Sequence, residues 1–399
     1  MIIKVNRERV AEAIGAMGAH EDSLPIFAGK TEIMPLKLLE VRTPAVNIIK
    51  QEMLAAGGDA VTPMGAVNCA DKFMDILLLG TRRQYARLAG KLAQMPYFGL
   101  EQILAELRKL LAAEASKTVL ADGRVLTYDK VRVMGILNIT PDSFYAGSRV
   151  AEEEAVVART AQMLEDGADI IDIGGESTRP GSESVTPQEE RRRVMPIIYR
   201  LRKEFPEAIL SIDTYNSGTA DIATSAGVDI INDISAMEMD KRMPLIAMQS
   251  KAPIILMHMR GNPKTMQKNT VYKDVVQEVA VYLRQRAELL HERGIGADKI
   301  ILDPGIGFAK NVRQNLLLMR DLATLTSFGY PVLLAASRKS SIGAVLENIP
   351  AEERLYGTIA TSLQAVYAGA QLIRVHDVKE NVQALRMLEA IMHPERVQA

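Results

Sequence analysis

From Val131 onward the chain alternates short apolar, β-branched runs with longer amphipathic stretches. The pattern predicts eight strands: 131–138, 169–174, 209–213, 230–234, 253–259, 300–303, 331–337 and 372–377. Helical spacing fills the intervals, for example at 151–167 and 272–294, and again after the last strand at 378–392. Strands that are apolar on both faces and separated by helices are the mark of parallel βα units. Gly167, Gly227, Gly294 and Gly369 fall where these helices should stop, as glycines that accept a left-handed backbone do.

Residues 1–120 have another rhythm. Strand-like runs at 2–5, 37–41 and 75–80 alternate with helical ones at 9–17, 46–57, 82–94 and 100–114. This predicts a small α+β domain of unassigned role. Residues 115–130 read as a linker entering a short hairpin that turns at Asp122-Gly123. The expected organisation is therefore an accessory domain over 1–120 and a (β/α)8 TIM barrel over 121–399, since eight regular units in this length match that fold. A doubly wound sheet is the alternative, but no nucleotide loop is present. Gly29-Lys30-Thr31 resembles the end of a phosphate-binding loop, yet the required first glycine is Leu24.

Composition narrows the function. With 48 basic and 49 acidic residues in 399, the net charge is −1, which argues against a general grip on nucleic acid or on anionic membrane. Aromatics are 5% and Trp is absent, so a base-stacking platform is not expected. Cys69 is the single cysteine, which rules out an internal disulfide and a cysteine-based metal site. It is expected to be a small core residue. No apolar run approaches a membrane span and Met1–Val10 lacks a signal-peptide core, so the expected location is cytoplasmic.

Polar residues interrupt nearly every predicted strand near its carboxyl end, where a TIM barrel keeps its chemistry. They are Asn138, Asp172, Asp213, Asn232, His258, Asp303, the run Ser337-Arg338-Lys339, and Arg374 with His376. Carboxylates buried in apolar strands need donors, and a ligand edge with adjacent N–H groups, as in a guanine or pterin, would supply them. Arg179, Lys339, Arg374 and His376 form an opposing cationic set suited to phosphate. The loops 138–149 and 174–187 are long and rich in Gly, Pro, Ser and Thr, a composition fit for lids. His258 reads as a structural histidine, and Glu189–Arg193 as an exposed helix face.

The motifs MGILNITPDSF (134–144), IIDIGGESTRPG (170–181), SIDT (211–214), IINDI (230–234), LMHMRGNPKTMQ (256–267), LDPGIGFAKN (302–311), SRKSSIG (337–343) and RVHDV (374–378) resemble dihydropteroate synthase over about 131–392. The resemblance implies condensation of 6-hydroxymethyl-7,8-dihydropterin pyrophosphate with para-aminobenzoate. It implies pterin contacts from Asp172, Asp213, Asn232, Asp303 and Lys339, and a pyrophosphate and Mg²⁺ contact from Asn138. Arg179, Arg374 and His376 would form the anion pocket, with Asn138 and Lys339 joining them in catalysis. Phe144, Thr178, Pro180, Phe308 and Ser340 would surround para-aminobenzoate. A homodimer formed through the outer helices is also implied. A methyltetrahydrofolate:corrinoid methyltransferase and a non-catalytic pterin-binding protein are the alternatives.

Overall fold

Eight parallel strands, each too apolar to face water, solve their burial problem by closing on themselves. In the computed structural model, which describes residues 10–18, 27, 30, 32–112, 116–139, 149–176 and 185–397, the chain forms two compact units, Met1–Glu114 and Ala115–Ala399.

The second unit is a (β/α)8 barrel. Its strands are β6 (Arg132–Asn138), β7 (Ile170–Gly174), β8 (Ile209–Asp213), β9 (Ile230–Asp233), β10 (Ile254–Met257), β11 (Ile300–Asp303), β12 (Leu333–Leu334) and β13 (Leu372–Val375). They pair in parallel in the order β11-β10-β9-β8-β7-β6-β13-β12. A parallel bridge between Leu302 and Val332 joins the two ends, so no edge is left for another chain to extend. Around them, helices bury one stripe each. In the helix Val275–His291, Val275, Val279, Leu283, Ala287 and Leu290 are buried, and Asp274 caps its start by accepting from the amides of Val276 and Gln277 (both 3.1 Å). Spacing of three or four residues produces that stripe.

The residues read as linker and hairpin have a structural task. Strands β4 (Lys117–Val119) and β5 (Val125–Thr127) pair antiparallel. Leu120 and Leu126 pack into an apolar cluster with Met134, Ile170, Ile230, Ile255, Ile301, Leu333 and Leu372, at or near the amino-terminal ends of barrel strands. Polar ties hold the plug in place: Arg124 donates to Glu207 O (2.9 Å) and Asp229 Oδ1 (2.6 Å), and Lys299 Nζ donates to Val119 O (2.6 Å). The hairpin closes the end of the barrel opposite its chemistry.

The first unit is built on an antiparallel sheet ordered β1-β3-β2, from β1 (Met34–Arg42), β2 (Asp59–Val61) and β3 (Phe73–Gly80). Met74, Ile76, Leu78 and Gly80 alternate inward along β3, and the same cluster takes in Ile49, Met53, Tyr85, Leu88 and Leu100 from the helices. The helix Arg82–Leu92 begins with a reciprocal Thr81–Gln84 capping box. Strand β2 has three residues, too short for its alternation to be visible in the sequence. The run expected as a strand at 2–5 lies outside the described residues.

Two expectations need correction. Cys69 is exposed, not a core residue; its backbone has φ +53°, in a turn before β3. The run Glu189–Arg193 is not uniformly a solvated face: Glu190 is buried and accepts from Thr219 Oγ1 (2.6 Å) and Asn216 Nδ2 (2.9 Å). Helical spacing turns that one position inward, which a charge run conceals.

Candidate active site

Barrel register assembles the polar residues. Asn138, Gly174, Asp213 and Asn232 are successive partners across β6, β7, β8 and β9, so one row near the strand ends carries an amide, a gap, a carboxylate and a second amide. Asp172 lies two residues earlier on β7 and on the same side as Gly174. Gly174 leaves that position without a side chain, and a Cβ there would come within ordinary contact of Asn138 Oδ1 (3.4 Å) and Asp213 Cβ (3.7 Å).

From β13, Arg374 reaches across this row. Its Nε donates to Asp172 Oδ2 (2.6 Å) and one Nη donates to Asp213 Oδ2 (2.7 Å). Asn232 Nδ2 also donates to Asp172 Oδ2 (3.0 Å). Asp172 is wholly buried, and its Oδ1 has no hydrogen-bond partner among the described residues. Such an orphaned acceptor costs free energy until something donates to it. Arg374, expected as an anion contact, spends two of its five donors on carboxylates. Burial alone would lower its pKa, but Asp172 and Asp213 hold it above its ordinary value.

The other carboxylates are strained toward neutrality. Burial lifts Asp213 to about 7, opposed by Arg374 and reinforced by Asp172. Burial also lifts Asp303 to about 6, although the Gly305 amide donates to its Oδ1 at 2.7 Å. A ligand edge bearing N–H donors would relieve both, since hydrogen bonds to the charged form favour it.

On the far side, Lys339 immediately precedes the short helix Ser340–Val345, in extended backbone. Its Nζ stands 4.4 Å from the centre of the Phe308 ring, and its chain passes Gly307, where a Cβ would meet Lys339 Cδ at 3.2 Å. The preceding residue Arg338 is left-handed (φ +55°). It pairs through its guanidinium with Asp377 and is tied through its carbonyl to Arg354 Nη1 (3.0 Å), which fixes the turn presenting Lys339. Ser337 Oγ accepts the His376 amide (3.1 Å) and bonds His376 Nδ1 (3.0 Å), so one hydroxyl orients that ring. Ser340 is exposed and Phe308 buried. Phe144, Thr178, Arg179 and Pro180 lie outside the described residues.

Sequence reasoning missed three supports: Ser337 behind His376, the Arg338–Asp377 pair behind Lys339, and Lys310. All sit inside the motifs, but their roles depend on contacts more than ten residues away or on one loop's folding. His258 is, as expected, a buried hydrogen-bonded histidine. Burial, with the charges of Lys310 and Arg260, drives its pKa down to about 2.

For Mg²⁺, the described residues hold no group of three or more His, Cys, Asp or Glu that would cage a metal. Asn138 offers one amide oxygen beside the space left by Gly174. That fits an ion held mainly by water and substrate phosphate oxygens, as Mg²⁺ usually is.

A closed barrel with a buried acceptor row facing cations has the form of an enzyme that binds a ligand edge rich in N–H donors, and residues 134–376 match the family described as pterin binding enzyme. Dihydropteroate synthase of Synechocystis is 45% identical over 65% of this chain and 89% of its own length. The Xanthomonas albilineans dihydropteroate synthase structure with 4-aminobenzoic acid has a TM-score of 0.65 and 39% identity, covering 71% of this chain and all of that one. The chain belongs to the dihydropteroate synthases, transferases of folate biosynthesis. Its first unit is an extension that the Synechocystis match does not span. A Halobacterium salinarum protein, described as a probable bifunctional folylpolyglutamate synthase/dihydropteroate synthase, is 38% identical over 351 residues, 88% of this chain and 42% of its own. That stretch is longer than the barrel unit and so runs into the first.

Proposed function

We propose that the barrel condenses 6-hydroxymethyl-7,8-dihydropterin pyrophosphate with para-aminobenzoate, yielding 7,8-dihydropteroate and pyrophosphate. The observation that carries the reading is the acceptor row: Asp172 with an unpartnered buried oxygen, Asp213 and Asp303 pushed toward neutrality, and the Asn232 amide beside them. The amino-pyrimidinone edge of a pterin presents the donors these groups lack, each charge-assisted bond being worth about 1.5–3 kcal/mol. A neighbouring structure of the Xanthomonas enzyme in complex with 7,8-dihydropteroate supports the same product.

In the reaction the methylene C–O bond breaks with its electron pair leaving on pyrophosphate. The arylamine lone pair then closes the C–N bond and the nitrogen sheds one proton. Lys339, His376, Arg179 and the remaining donors of Arg374 would stabilise the departing oxygens, where charge grows in the transition state. Mg²⁺, which Asn138 would help to hold through its amide oxygen, would supply further neutralisation of the phosphate charge. Phe308, under Lys339, and Ser340, with Phe144, Thr178 and Pro180, would seat the arylamine ring. The loops 138–149 and 174–187 would exclude the water that otherwise captures the cation.

We place the protein in the cytoplasm; no helix among the described residues is long and apolar enough to cross a membrane. We also read it as a homodimer, supported by Tyr356, Tyr367, Met387 and Ile391, each more than 60% exposed on the last two long helices. The first unit is accessory in this reading, and the match to the probable bifunctional Halobacterium protein reaches into it. Purified protein with Mg²⁺ and the pterin substrate should release pyrophosphate only when para-aminobenzoate is added. Release independent of the arylamine, or no release, refutes the reading.

A further inference from the structure

The loop after β11 is held with unusual completeness. Residues 304–311 include three left-handed positions, Gly305 (φ +69°), Gly307 (φ +85°) and Ala309 (φ +52°). At Gly305 a Cβ would lie 2.1 Å from the His258 carbonyl oxygen, so only glycine fits. The reversals turn carbonyls inward, and they converge on one side chain. Lys310 Nζ donates to Phe308 O (2.8 Å), Gly305 O (3.0 Å) and His258 O (3.2 Å), and lies 3.0 Å from His258 Nδ1. Lys310 is 2% exposed. Burial pulls its pKa down to about 7, with Asp303 opposing and Arg260 and Lys339 assisting. Desolvating an ammonium costs several kcal/mol, and a methionine would fill the same space without that cost.

What the ammonium secures is the substrate side of the loop. Phe308, whose carbonyl it holds, carries the ring under Lys339, and Gly305, whose carbonyl it also holds, donates its amide to Asp303. We propose that Lys310 is a positioning residue for the condensation: by tying the loop to the end of β10 at His258, it sets the height of Phe308 and Lys339 and the direction of Asp303. The proposal rests on the reading of Lys339, Phe308 and Asp303 as substrate contacts. Other bonds keep the loop folded without Lys310, since Gln267 Nε2 donates to Gly307 O (2.8 Å) and Tyr272 Oη to Ala309 O (3.1 Å). The loop would therefore persist but sit less accurately, and misplacement by about 1 Å can cost on the order of 100-fold in rate.

The test uses the full chain in the pyrophosphate-release assay, with wild type alongside. Lys310→Met should fold, with an unchanged circular dichroism spectrum, while kcat falls about 10- to 100-fold and KM for para-aminobenzoate rises. Lys310→Ala should lose a similar factor and regain part of it with added ethylammonium but not with ethanol, because only the cation replaces the three donors. Unchanged kcat and KM in folded Lys310→Met, or a folded Lys310→Ala that ethylammonium does not rescue, overturns the proposal. Wild type without arylamine-dependent release would instead overturn the functional reading.

Discussion

Replacing Asp213 by asparagine isolates the central electrostatic claim about the site. The side chain keeps its shape, but the carboxylate that accepts from Arg374 at 2.7 Å becomes a neutral amide. A pterin N–H given to a carboxylate is worth about 1.5–3 kcal/mol and one given to a neutral oxygen about 0.5–1.5. The difference, with the disturbed Arg374 contact, gives a loss of about 1–3 kcal/mol, or roughly 5- to 150-fold in Kd. Calorimetric titration of the pterin substrate at pH 8, where the group is ionised, measures it directly. A second arm uses the elevated pKa of about 7. If the ligand selects the carboxylate, binding below that pH must first expel a proton, so wild-type affinity should weaken as pH falls through 7. The amide of the Asp213→Asn variant carries no such proton, and any decline there should begin lower, near the value of about 6 for Asp303. Equal affinities at pH 8, or superimposable pH profiles, would refute the assignment.

Two further outcomes follow from the same geometry. Arg374→Ala leaves Asp172 and Asp213 buried without their cation, so turnover should vanish and thermal melts at pH 8 should show about 3–5 kcal/mol of lost stability. The loss should shrink at pH 5, where Asp213 takes up a proton; an equal loss at both pH values would count against the pairing. Leu120→Ala removes a side chain 1% exposed in the amino-terminal plug and should cost about 2–5 kcal/mol in denaturant unfolding. KM for both substrates should stay unchanged, and a shift in either would contradict the placing of the hairpin away from the site.

Much of the barrel was legible because its strands are apolar on both faces and its helices carry single stripes, periodicities that each segment states locally. The pocket's polar residues stood out for the same reason: Asp172 or Asp303 inside an apolar strand breaks a pattern the fold has to obey. Their pairing was not legible. Arg374 reads from sequence as a phosphate ligand, yet it bonds Asp172 and Asp213 from the strand on the other side of β6. Glu190 reads as part of a charged surface, and only the packing of its helix shows that it faces inward.

The chain by itself determined the strand and helix alternation, the identity of the polar residues and the kinship that names their chemistry, because these depend on spacing and residue type. Tertiary structure alone decided which charges neutralise which, that the hairpin at 117–127 plugs the barrel, and that Lys310 gathers the carbonyls of its own loop. Those facts depend on distances between segments up to about two hundred residues apart, as for Arg374 and Asp172. Barrel closure sets such distances, and no local pattern encodes them.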